Sequence, residues 1–140
     1  MTIGQSIVDW LMEFGDIEAS DAVIETDQLD SDTGSMGLYK QPNKDVRPFV
    51  NGSRDVTEYY YLLARQPAKD ECSRIAAQAW MEALEAWVRT RNMARDLPTL
   101  DGGRECYSIE VSVSAYMSST DESGRTAEYQ ISIAIKYMEV

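Results

Sequence analysis

The 140 residues include no histidine, so the commonest general base and the commonest metal ligand are both missing. A Cys–His nucleophile is excluded outright. Serine with lysine and paired carboxylates remain as routes to catalysis. Such groups are plentiful in a chain with 24 acidic side chains, but no spacing singles out a pair, and the expectation is a protein that is not an enzyme. The run "DSDTGS", Asp30 to Ser35, opens like a calcium loop, which requires alternating carboxylates, then a glycine and a distant bidentate glutamate. Gly34 stands where a third ligand belongs, Ser35 replaces the glycine and Gln41 replaces the glutamate. The run therefore reads as a solvated turn. "LDGGR", Leu100 to Arg104, lacks the lysine-serine of a phosphate loop and leads into a strand rather than a helix. Cys72 and Cys106 are too few and too widely spaced for a disulfide framework. No metal, cofactor or disulfide is expected.

The residues left with something to do are aromatic and charged. "FVNGSRDVTEYYYLLARQ", Phe49 to Gln66, holds a glycine turn, the Arg54–Asp55 pair and three successive tyrosines, Tyr59, Tyr60 and Tyr61. Side chains alternate along a strand, so the three rings cannot all point one way. At least one faces a second surface, as an interface anchor or as part of a buried sandwich core.

The elements that position them follow from periodicity. Thr2 with Gln5 has the spacing of a capping box, and Ile3, Ile7, Val8, Leu11 and Phe14 then recur at helical intervals up to a stop at Gly15. A second helix is expected from near Lys69 to about Met93, with an apolar stripe of Ala76, Ala79, Trp80, Ala83, Leu84, Trp87 and Val88 lying on a sheet. Arg74, Gln78, Glu82, Glu85 and Arg89 form its polar side. In the last third, Tyr107, Ile109, Val111, Val113 and Ala115 alternate with polar residues, and so do Ala127, Tyr129, Ile131, Ile133, Ile135 and Tyr137. The polar turn "SSTDESGR" between them makes an antiparallel hairpin whose odd-numbered residues face the core. Val56 to Ala64 reads as a further strand, ended by Pro67, with Tyr59, Tyr61 and Leu63 on one face and Val56, Glu58, Tyr60 and Leu62 on the other. "SMGLYK" is a shorter partner strand and "AVIETD" a weaker one. "DQLDSDTGS" and "QPNKDVRPFVNGSR" read as long polar loops. The expected fold is α+β: a mixed, largely antiparallel sheet with two packed helices in the order α-β-β-β-α-β-β. Residues 1–140 have the length of one domain with one core.

Composition removes further classes. With 13 basic against 24 acidic residues the net charge is −11, which repels nucleic-acid backbones and anionic membranes alike. The start, "MTIGQSIVDWLMEF", has no basic n-region and its apolar run is broken by Asp9 and Glu13. No later run approaches the length of a transmembrane helix. Synthesis in the cytosol is expected.

The succession "SIVDWL", "TDQL", "MGLYKQP", "FVNGSRDVTEYYYLLARQ", "AWMEALEAWV", "LPTL" and "YQISIAIKYMEV" resembles the tail-terminator-like minor capsid proteins of Firmicutes phages. The resemblance covers nearly the whole chain and lies in aromatic and turn residues rather than in a catalytic signature. It implies a homo-hexameric ring in the virion, assembled in the host cytoplasm, that caps the tail tube, meets the head-tail connector or a neck protein, and lets DNA pass through its lumen without binding it. Contacts would come from the loop Gln41–Arg54 and the turn Ser118–Arg125, with Arg54 and Asp55 available for pairing across an interface and Tyr59, Tyr60 and Tyr61 beside them. Two alternatives stand beside it: a head-closure or other neck component, and an acidic binding module that sequesters a host protein.

Overall fold

Thr2 is extended, and its hydroxyl accepts the backbone N–H of Gln5 at 3.1 Å. This cap starts helix α1, Ile3–Leu11. Only half of the expected capping box forms, because the Gln5 side chain turns outward to Asp9 at 2.9 Å. Ile3, Ile7, Val8, Trp10 and Leu11 are buried. The helix ends with Met12 as C-cap, earlier than Gly15, yet Phe14 beyond it is still buried. The computed structural model describes residues 2–15, 24–27, 35–120 and 124–140. The calcium-like run lies outside the described residues except for Ser35.

Five strands follow among these residues: β1, Ile24–Thr26; β2, Met36–Pro48; β3, Arg54–Pro67; β4, Arg104–Thr120; and β5, Thr126–Glu139. Helix α2, Glu71–Met93, joins β3 to β4. Asp70 caps it by accepting the Ser73 N–H at 2.7 Å. The strands form one sheet in the order β1-β2-β3-β5-β4, with β1 parallel to β2 and every other pair antiparallel. The α+β class and the element order are those expected from the sequence. Leu38 sits opposite Leu62, and Leu62 opposite Ile131, so one face of three neighbouring strands is apolar at the same level. That face meets Ile7 and Leu11 of α1 and Met81, Leu84 and Val88 of α2 in a single core. β3 is central in the sheet, and its even-numbered residues Val56, Tyr60, Leu62 and Ala64 are buried.

Three expectations change. First, "QPNKDVRPFVNGSR" is not a loop: Lys44–Pro48 pair with Arg54–Glu58, and the chain reverses in a tight turn. Phe49 N–H bonds the Ser53 carbonyl at 2.8 Å, Gly52 N–H bonds the Phe49 carbonyl at 3.1 Å, and Gly52 supplies the positive φ of +90°. A register shift between Lys40 and Lys44 accommodates Pro42, which has no N–H to give the ladder. Two prolines made this strand look like a loop.

Second, the odd-residue rule holds along β5 but only in part on β4, where Val111 and Ala115 pack against the core but Val113 does not. Ala127, Tyr129, Ile131, Ile133, Ile135 and Tyr137 are all buried. Register shifts at Cys106/Ser108 and Val111/Val113 turn β4 between them, so Ile109 is buried whereas Val113 is 50% exposed. Tyr107 reaches the opposite face and bonds Asp55. Ser118, Ser119 and Thr120 continue β4 rather than forming the turn, and 121–123 lie outside the described residues.

Third, α2 is rolled relative to the expected stripe. Ala77, Met81, Leu84 and Val88 are its buried residues, while Ala76, Ala79 and Ala83 are exposed. Burying one methionine removes more apolar area from water than burying any of these alanines, which favours the roll. Trp80 and Trp87 pack against the core and meet the aromatic rings of Trp10 and Phe14. Trp87 packs on Trp10 at 4.7 Å between ring centroids, and Phe14 meets Trp80 at 6.0 Å.

Candidate interaction surfaces

The helices cover one face of the sheet. On the open face Tyr61 stacks on Tyr39, with ring centroids 5.1 Å apart and planes 6° from parallel. The Tyr59 hydroxyl donates to Asp45 at 2.9 Å, and Tyr107 donates to Asp55 at 2.6 Å. The Asp55 hydrogen bond, with desolvation behind it, pushes the Tyr107 hydroxyl up to about 12. Arg65–Glu128 at 2.9 Å and Lys136–Glu110 at 3.3 Å add ion pairs between strands. Of the five residues singled out from the sequence, Tyr59 and Tyr61 therefore lie on this face. Asp55 is engaged by Tyr107, and Arg54 is held by Glu139 at 2.7 Å. Tyr60 is part of the core, 4% exposed beside Gly4 of α1. The structure does not bring the five together.

From Pro42 to Gly52 every residue of the β2–β3 hairpin is exposed. Between positions 40 and 54 the sequence carries Lys40, Lys44, Arg47 and Arg54 against one carboxylate, Asp45, and of these Lys40 pairs with Glu58 and Arg54 with Glu139 outside that stretch. In a chain of net charge −11 this arm is locally basic. Its tip exposes Val46, Phe49 and Val50, and the Arg47 guanidinium lies 5.8 Å from the centroid of the Phe49 ring. The sequence placed contact residues in this stretch, but it gave no reason to expect a braced hairpin.

A second surface lies at the other edge. β4 ends the sheet, so its outer backbone groups have no neighbouring strand among the described residues. Val113, Tyr116 and Met117 are exposed there. Between β4 and α2 runs a groove of about 390 Å³ lined by Met81, Glu82, Glu85, Tyr116, Met117 and Tyr129 among others. Glu85 accepts the backbone N–H of Ala115, which ties the helix to the strand. Sequence reasoning missed this surface because it assigned Val113 to the core. The adjacent Tyr116-Met117, two large side chains breaking the alternation, is the available signal.

A third feature is a polar cavity of about 520 Å³ at the start of α1. Glu58, 2% exposed, accepts from the Tyr137 hydroxyl at 2.8 Å and pairs with Lys40 Nζ at 3.1 Å. Burial, then the nearby Glu58 charge, raises the Tyr60 hydroxyl pKa; burial, then the Glu58 hydrogen bond, raises that of Tyr137. With its carboxylate held by a hydroxyl and an ammonium, Glu58 braces β3 against β2 and β5. Burial pushes the Cys106 thiol up to about 11, which keeps it protonated and unreactive near neutral pH.

Among the described residues no three His, Cys, Asp or Glu side chains group as a metal site, and no helix is long and apolar enough to cross a membrane. No protein-family model matches the chain, and no curated protein matches it in sequence.

Proposed function

We propose that the chain is a phage structural protein, a tail terminator whose copies form a hexameric ring at the head-proximal end of a tail or tail-like particle. The observation that carries this reading is the pair of unlike exposed apolar surfaces on one sheet, the basic β2–β3 tip and the β4 edge. A subunit with two different sticky ends joins its neighbours head to tail, and such contacts close into a ring when the rotation per subunit allows. The resemblance in aromatic and turn residues supplies the place of that ring in the particle. The acidic composition suits a lumen through which DNA passes without adhering.

In this role the protein carries out no reaction and holds no cofactor. It ends tube growth by matching the tail tube's last surface on one side and presenting a different surface to the connector or neck protein on the other. Deleting the gene is expected to leave tails of abnormal length that do not join heads, as seen by electron microscopy. Tails of normal length joined to heads would refute the assignment. Normal tails beside heads that leak DNA would move the protein to a head-closure or neck position.

A further inference from the structure

The hairpin tip and the β4–α2 groove complement each other in charge and polarity. The tip presents Phe49 and Val50 with Lys44 and Arg47 behind them, and Asp45 is occupied by the Tyr59 hydroxyl at 2.9 Å. The groove presents Tyr116 and Met117 beside the carboxylates of Glu82 and Glu85, with no lysine or arginine in its lining. Tyr129 is also part of this lining. Tyr129 is 2% exposed, and its hydroxyl has no hydrogen-bond partner among the described residues. A buried hydroxyl left in that state favours an arriving partner that can bond to it.

The tip cannot fill the groove of its own chain. Arg54, at the base of the turn, pairs with Glu139 at one end of β5, whereas Met117 beside the groove pairs with Tyr129 near the other end. At about 3.3 Å per residue that part of the sheet separates them by roughly 30 Å. The occupant must come from another molecule, and the surface of this fold that matches the groove in charge and apolar character is the tip of a second copy.

We infer that the β2–β3 tip of one subunit docks into the β4–α2 groove of the next, with Phe49 and Val50 against Tyr116 and Met117 and with Arg47 facing Glu82. This inference rests on the ring reading above and names the contact that builds the ring. The contact is heterologous, so each subunit uses its tip once and its groove once. The Tyr129 hydroxyl gains a partner from the incoming backbone or from Arg47.

Sedimentation of the purified full-length chain over a concentration series tests it. Wild type is expected to associate, whereas Val50→Asp and Met117→Asp each remain monomeric with unchanged circular dichroism and melting. Mixing the two variants is expected to give a dimer and nothing larger, because one retains an intact groove and the other an intact tip. Arg47→Glu should weaken association, and adding Glu82→Arg in the same chain should restore it. Wild-type oligomers that persist in both Asp variants would overturn this contact while leaving the ring reading in place. Dimers formed by either variant alone would mean a symmetric interface and would overturn it too. A wild type that stays monomeric at the highest concentration reached would overturn the contact and the ring together.

Discussion

The Tyr137 hydroxyl donates a 2.8 Å hydrogen bond to the Glu58 carboxylate across the β3–β5 pair, where Glu58 is 2% exposed and Tyr137 1% exposed. Lys40 Nζ, itself half in solvent, supplies the counter-charge from β2 at 3.1 Å. One carboxylate thus links three adjacent strands at the base of the basic hairpin. Burying a charge is tolerable here only because both a hydroxyl and an ammonium reach it.

Tyr137→Phe removes the hydroxyl and leaves the carboxylate with one fewer donor. A hydrogen bond to a charged group is worth about 1.5–3 kcal/mol, and the variant should lose stability of that order in urea. Glu58→Met with Tyr137→Phe should cost less than the two single changes added together, since the double change leaves no orphaned charge. Strict additivity would show that the bond does not couple the two residues.

Ile133→Glu and Val113→Glu separate the geometry of β4 from that of β5. Ile133 is fully buried opposite Tyr60 and Val111, so an unpaired carboxylate there should cost several kcal/mol. Val113 is 50% exposed beyond a register shift, and glutamate there should change the stability by no more than about 0.5 kcal/mol. Equal melting losses for both variants would mean that Val113 faces the core after all.

What was legible in the sequence follows from the same contrast. Period-two alternation identified β3 and β5, since both are paired on each side and an unbroken ladder keeps the alternation in register. β4 has a partner on one side only, and an edge strand tolerates shifts that leave its composition unchanged. The two tryptophans of α2 pack against the core as their stripe suggests, but their ring partners Trp10 and Phe14 lie far away in sequence, where no local pattern shows them. Arg54 and Asp55 found partners within the chain at Glu139 and Tyr107, contacts between strands that no local pattern shows.

Tyr107 provides a pH signature. Its hydroxyl is pushed up from 10.0 to about 12, first by the hydrogen bond to Asp55 and then by desolvation. As pH rises, the unfolded chain therefore releases this proton before the folded one does. The stability this bond contributes is complete below about pH 10 and is lost between about 10 and 12. Subtracting the phenolate absorbance titration of Tyr107→Phe from that of wild type should leave a midpoint near 12. A midpoint near 10 would mean that the hydroxyl is not bound to Asp55 in solution.

The two thiols should behave differently. Cys72 is exposed in the first turn of α2, whereas Cys106 is partly buried against the core with its thiol pushed up to about 11. At neutral pH a maleimide should label Cys72 rapidly and Cys106 only on unfolding, as read by mass spectrometry after proteolysis. Cys72→Ser with Cys106→Ser should still fold, because neither thiol forms a disulfide. Loss of folding in reducing buffer would contradict this.

The roll of α2 can be read out at two alanines. Ala77 is 2% exposed in the core, and Ala83, six residues on, is exposed. On a helix that advances by 3.6 residues per turn, these positions lie about 120° apart around the axis, and the expected stripe and the observed one differ on which of them is buried. Ala77→Arg would drive a charged side chain into the core, with a loss of several kcal/mol. Ala83→Arg places the guanidinium in water at little cost, because arginine is nearly as good a helix former as alanine. Chemical denaturation of the two variants decides the matter: the observed roll requires a large loss at Ala77 and almost none at Ala83. The reverse order would restore the stripe expected from the sequence and place Ala76, Ala79 and Ala83 on the sheet.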